Sequence, residues 1–140
     1  MSDISGSAAK DNLAGTSGND VIHGGAGNDT LNGGAGNDVL FGEADNDRLC
    51  GGSGDDTLFG RDGADTFVFY RADGHDQIGD YRQGMDHLEF HGISGREITW
   101  TATDGGVLLC YGGIGSQAAN HGEIFVAGVT ALGHSDFIFS

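Results

Sequence analysis

Proline is absent from this chain and cysteine nearly so. The 2 cysteines, Cys50 and Cys110, are too few for a disulfide scaffold or a four-cysteine zinc site, and free thiols are expected. Basic residues are scarce: 6 Lys and Arg stand against 21 Asp and Glu, a formal charge of -15. That balance argues against nucleic acid, whose phosphates need Lys and Arg, and against an anionic membrane surface. It suits multivalent cations. No apolar run approaches the roughly 20 residues of a membrane-spanning helix. The stretch from Met1 to Gly15 lacks a charged start followed by an apolar core, so no secretory signal peptide is read there. Enzyme signatures are missing as well: there is no His-Glu-x-x-His zinc helix and no Gly-x-Ser-x-Gly elbow. His134-Ser135-Asp136 holds triad residue types, but adjacency in sequence is not triad geometry. The chain is read as non-enzymatic.

Glycine, in contrast, supplies 28 of the 140 residues. Such a content signals a linker unless it is periodic, and here it is periodic. Between Gly6 and Val68 the chain divides into 7 blocks of 9: GSAAKDNLA, GTSGNDVIH, GGAGNDTLN, GGAGNDVLF, GEADNDRLC, GGSGDDTLF and GRDGADTFV. The first position is always Gly and the sixth always Asp: Asp11, Asp20, Asp29, Asp38, Asp47, Asp56 and Asp65. The eighth is always large and apolar: Leu13, Ile22, Leu31, Leu40, Leu49, Leu58 and Phe67. Six turn-forming residues followed by three strand residues make a unit that cannot bury anything alone. Stacked two blocks per coil, such units form two parallel sheets with the eighth-position residues between them.

That core is thin against the ordering cost of so many glycines, about 1–2 kcal/mol per residue. The aspartates supply the missing contribution. Two blocks per coil stack Asp11, Asp29, Asp47 and Asp65 on one edge and Asp20, Asp38 and Asp56 on the other. Without a cation each stack is a repulsive ladder. Ca²⁺ accepts six to eight hard oxygen ligands, which two carboxylates plus turn carbonyls can provide, and about five ions are expected within the seven blocks. Beyond them, Asp76, Asp80 and Asp86 lie in weaker Gly-x-Asp-x-apolar echoes and raise the total to about five to eight.

The blocks GGAGNDTLN, GGAGNDVLF and GGSGDDTLF resemble the RTX (repeats-in-toxin) nonapeptide. The resemblance implies an all-β fold, a right-handed parallel β-roll of nonapeptide repeats followed by a β-rich C-terminal cap, with boundaries at 1–68 and 69–140. The turn carbonyls expected beside the aspartates are those of Gly15, Gly18, Gly25, Gly27, Gly34, Gly36, Gly52, Gly54 and Gly63. The fifth block departs from the pattern with Glu43 and Asp45 in place of glycine, which questions its turn while offering Asp45 as a further ligand. The first block, with Ser7 and Ala9, reads as a cap. The stretch from Asp76 to Leu88 resembles the segment after the repeats in serralysin-type proteases and alginate epimerase modules. The end, Val129 to Phe139, resembles the C-terminal targeting tail of type I secretion substrates.

These features imply a calcium-dependent folding and secretion module of an extracellular bacterial protein. Its partners would be calcium, the type I secretion machinery and a catalytic domain. An accessory polysaccharide-binding module, with Arg61, Arg71, Arg82 and Arg96 as contacts, is the alternative. A third reading starts from Phe41 and Phe59, which should be neighbours on the outward face of one sheet. Either the C-terminal half covers them or they dock a partner module or a second copy.

Overall fold

Each block contributes its last three residues and the glycines after them to a strand, and each strand pairs with the one two blocks away. A computed structural model describes residues 1–70, 73–93, 95, 98–111 and 122–140. One sheet takes β1 (Ser2–Ser5), β3 (Asp20–Ala26), β5 (Val39–Ala44), β7 (Thr57–Arg61) and β9 (His75–Ile78). The other takes β2 (Asn12–Ala14), β4 (Thr30–Ala35), β6 (Arg48–Ser53), β8 (Thr66–Phe69) and β10 (His87–Phe90). All these pairings are parallel, and Val21 faces Val39 as Leu31 faces Leu49. The eighteen-residue coil is therefore two blocks long. The result is a β-solenoid of about five turns.

Alternation along each strand points the eighth-position side chain inward. Ile22, Leu31, Leu40, Leu49, Leu58 and Phe67 are fully buried, and Ile78 and Leu88 extend the same two rows.

The β-rich C-terminal cap is antiparallel only in part. β11 (Ile98–Thr103), β12 (Gly106–Tyr111) and β13 (Gly122–Ala127) do form antiparallel pairs, but β13 joins β9 in parallel. The last strand, β14 (Phe137–Phe139), pairs in parallel with β10. Both sheets thus run on past the repeats, and Phe69, Phe90, Tyr111, Val107 and Ile124 thicken the core beyond what one leucine per block provides. Among the described residues, β9, β13, β12 and β11 extend the Phe41-bearing sheet edge to edge. Phe59 packs against the bare Cα of Gly79, while Phe41 lies between Phe59 and His23.

Turns stack closely at the first, second and fourth positions of a block. Gly52 has φ +100°, and a Cβ there would overlap the carbonyl oxygen of Gly34 one coil away. Gly92 also has positive φ, +69°, but nothing lies within 4 Å of its missing Cβ. Gly92→Ala should cost only the left-handed penalty of about 1–2 kcal/mol. Gly52→Ala must in addition push two coils apart. Calorimetric melts of both variants in Ca²⁺ should show the larger loss of Tm for Gly52→Ala.

Candidate metal centre

The turn sequence places one aspartate per block where strand begins, and the stack buries it. Asp20, Asp29, Asp38, Asp47, Asp56 and Asp65 are all at most 2% exposed. In each, Oδ1 accepts a backbone N–H from one coil earlier. On one edge Asp11, Asp29, Asp47 and Asp65 donate to Asp29, Asp47, Asp65 and Asp86 at 2.8, 2.8, 2.9 and 2.9 Å. On the other, Ser2, Asp20, Asp38 and Asp56 donate to Asp20, Asp38, Asp56 and Asp76 at 2.8, 2.7, 2.7 and 3.1 Å. Asp76 and Asp86 therefore continue the two ladders.

The second oxygen divides the aspartates into two groups. In Asp11 and Asp20, Oδ2 accepts the backbone N–H of Ser7 and Thr16, each at 2.6 Å, and their hydroxyls at 2.9 and 2.8 Å. In Asp86 it accepts the N–H of Arg82 at 2.7 Å. In Asp29, Asp38, Asp47, Asp56 and Asp65, Oδ2 is buried with no hydrogen-bond partner. The difference follows the residue at position two of the block. Gly25, Gly34, Glu43, Gly52 and Arg61 all have positive φ, between 69° and 103°, and none donates its N–H to the carboxylate. Glu43 and Asp45, which the sequence marks as departures, hold the same left-handed turn as the glycines, at 83° and 76°. Neighbouring coils above and below impose the conformation at a cost of about 1–2 kcal/mol per residue.

A buried carboxylate oxygen without a donor is expensive unless a cation meets it. Burial pushes the pKa of Asp47 up to about 7 and those of Asp56 and Asp65 to about 6, with neighbouring aspartates adding repulsion. Asp76 is pushed to about 8 by burial first and then by Asp56, Asp73 and Asp55. In the closed group, the Thr16 N–H instead holds Asp20 below the usual carboxylate value. Among the described residues no three His, Cys, Asp or Glu side chains converge. An ion seated beside the open oxygens would draw most of its ligands from backbone carbonyls. That donor set, all oxygen and partly main-chain, fits Ca²⁺ and gives zinc nothing it prefers.

Other candidate residues are placed differently. Both Asp80 oxygens accept backbone N–H groups, from Gly60 at 2.9 Å and Arg61 at 2.8 Å. Asp45 accepts the Gly27 N–H at 3.1 Å from an exposed turn. Gly27, Gly36, Gly54 and Gly63 take positive φ at position four, whereas Gly15 and Gly18, in the block closed by Thr16, do not. Arg71 and Arg96 lie outside the described residues. A second ladder went unread in the sequence, where asparagine fills position five in four of the seven blocks. Asn19, Asn28, Asn37 and Asn46 at position five accept N–H groups from Asn37, Asn46, Asp55 and Ala64 one coil later. Asp73, 8% exposed, is a further buried carboxylate in the turn before β9. Both cysteines are free, and burial pushes the Cys50 thiol up to about 12.

Fold and ladders together define a β-solenoid whose turns leave five buried carboxylate oxygens without a hydrogen-bond partner. The family model for the RTX calcium-binding nonapeptide repeat matches residues 5–40, 33–67 and 41–78, more than half of the chain. The chain belongs to that family. Two solved relatives are subunits of a mannuronan C5-epimerase from Azotobacter vinelandii. AlgE6R2 is 29% identical, with 97% of this chain and 91% of that one aligned at a TM-score of 0.51. AlgE6R3 is also 29% identical, over 96% and 81%, at 0.47. The extracellular lipase LipA from Serratia marcescens shares the fold at 18% identity and a TM-score of 0.53. There the alignment takes in 96% of this chain but only 39% of the lipase. No curated protein sequence matches the chain.

The raised acid constants make stability depend on pH with opposite signs in the two metal states. Without metal, the fold binds protons more tightly than the unfolded chain, whose aspartates titrate near 3.9. Stability of the metal-free roll should fall as pH rises through the folded values of about 6 to 8. With Ca²⁺ the carboxylates must be ionised, so the calcium needed for half-saturation should climb as pH drops below about 7. Asp47→Asn should raise the metal-free Tm at pH 8 and lower the calcium-saturated one. Melts of metal-stripped and calcium-loaded protein across pH check both signs, and parallel slopes would contradict them.

Proposed function

We propose that this chain is a non-enzymatic, calcium-dependent folding and stabilising module of an extracellular bacterial protein, exported by a type I route. The observation that carries this reading is the set of five buried, unpartnered carboxylate oxygens, Asp29, Asp38, Asp47, Asp56 and Asp65, stacked along the two edges of the roll. At low calcium their repulsion and the entropy of the glycine turns favour the unfolded chain. An unfolded chain can thread a secretion channel, led by the tail from Val129 to Phe139. Outside the cell, ion binding becomes folding free energy, and extracellular calcium modules typically bind at about 10⁻⁴–10⁻³ M. The folded roll then incorporates the tail, because β14 pairs with β10. The whole protein would add a catalytic domain to this module, as the 39% coverage of the lipase illustrates.

Far-ultraviolet circular dichroism during a calcium titration tests the reading. The chain should be largely coil in EGTA and turn cooperatively to β-structure at sub-millimolar to millimolar Ca²⁺. A β spectrum indifferent to EGTA would sink it.

A second reading, polysaccharide binding, is favoured by one surface feature. His23, Phe41 and Phe59 stack on the outward face at centroid distances of 4.8 and 5.1 Å, and the Arg61 guanidinium lies 4.9 Å from the Phe41 ring. A flat aromatic row flanked by a cation is suited to a sugar chain carrying carboxylates. Likeness to the epimerase subunits supports the same reading. Titration with alginate oligomers should show binding that Phe41→Ser weakens at least several-fold. Sizing the same variant reports on a dimer formed through this face.

A further inference from the structure

The ladder logic places a calcium ion in every interval between successive coils, the last one on this edge lying between Asp65 and Asp86. We infer that Arg82 is a built-in cation that fills this last interval in place of a calcium ion. The inference rests on the calcium reading above.

The chain makes this coil longer than the others. Asp65 and Asp86 are 21 residues apart, where the earlier rungs are 18 apart. The longer coil brings Arg82 to the place, four residues before the aspartate, that Ser7 and Thr16 hold at the other end of the roll. Its backbone N–H closes Asp86 Oδ2 at 2.7 Å, as theirs close Asp11 and Asp20. Its side chain then turns back onto the preceding turn. The guanidinium Nη2 donates to the carbonyl oxygens of Arg61 and of Gly63, the latter at 3.0 Å. These are positions two and four of the final block. In earlier coils the position-two carbonyls of Ser7, Thr16 and Glu43 accept backbone N–H groups instead. Two turn carbonyls and one aspartate oxygen are thus already engaged by one arginine, and an ion seated there would find them taken.

Charge follows the same division. Burial raises both Asp65 and Asp86, and Arg82 pulls each of them back down. Among the described residues, no arginine reaches the matching interval on the opposite edge, between Asp56 and Asp76. That interval carries Asp73 as an additional buried acid, and burial and then the charges of Asp56, Asp73 and Asp55 raise Asp76 against the one Asp56 N–H it accepts. A guanidinium is charged at every accessible pH, presents several donors in one plane and is weakly hydrated, so it bridges two turn carbonyls better than an ammonium would. Unlike Ca²⁺, it cannot dissociate. One edge of the roll therefore ends on a cation that is present at any calcium concentration.

Equilibrium dialysis against ⁴⁵Ca²⁺ of the full chain, wild type beside Arg82→Gln and Arg82→Lys, tests this. Arg82→Gln should bind about one more ion than wild type and need several-fold more calcium to reach half-folding by circular dichroism. Arg82→Lys should keep the wild-type count. An unchanged count and midpoint in Arg82→Gln, with wild type binding calcium normally, would overturn the inference alone. An Arg82→Gln chain that stays unfolded at saturating Ca²⁺ would also overturn it, because the ion could then not stand in for the side chain. A wild type that binds no calcium would overturn the calcium reading and this inference together.

Discussion

The roll depends on a single repeated contact: an aspartate Oδ1 accepting the backbone N–H of the aspartate one coil before it. Seven such rungs, and an eighth donated by Ser2, run four on each edge and fix the spacing of the coils. They also consume one oxygen of every carboxylate. What remains, the second oxygen, is either closed by a nearby N–H or left bare in the interior. Which of the two happens is decided by the backbone at position two, and so by glycine or by a residue forced into glycine's conformation. Fold and cation site are therefore the same hydrogen-bonded object seen from its two oxygens.

This coupling explains the unusual composition. A purely apolar solenoid would carry several large residues per coil, and here the repeats offer two. The deficit is met by charge that must be neutralised. The C-terminal half adds aromatic packing to the core, with Phe69, Phe90 and Tyr111 in mutual contact. It extends both sheets with conventional packing at the end where Arg82 sits. The molecule thus grades from an end lined by buried carboxylates to a hydrophobic one without a break in either sheet.

Much of this was legible as columns. The eighth-position residues are the core row, the sixth-position aspartates are the rungs, and the eighteen-residue register follows from two blocks per coil. Position five is a weaker column, with asparagine in four of seven blocks and no charge to draw attention to its ladder. Other features have no column to read. Glu43, Asp45 and Arg61 obey their neighbours above and below rather than their own propensities. The parallel pairing of β14 with β10 joins segments far apart in sequence, where local alternation favours a hairpin. Arg82 lies where the period has lapsed, and only the longer coil brings it over the final turn.

The two outward faces of the roll differ, and their identity is a matter of parity. Odd and even blocks alternate between a polar face carrying Thr30 and Asn32 and an apolar one carrying Val39 and Phe41. Inserting or deleting two blocks would shift everything by one full coil and leave each face in place. A single block would exchange the faces for the remainder of the chain and set the aromatic row against a polar one. It would also transfer the arginine-closed end to the opposite edge. Length in such a solenoid is free to drift in units of eighteen residues and is held against steps of nine.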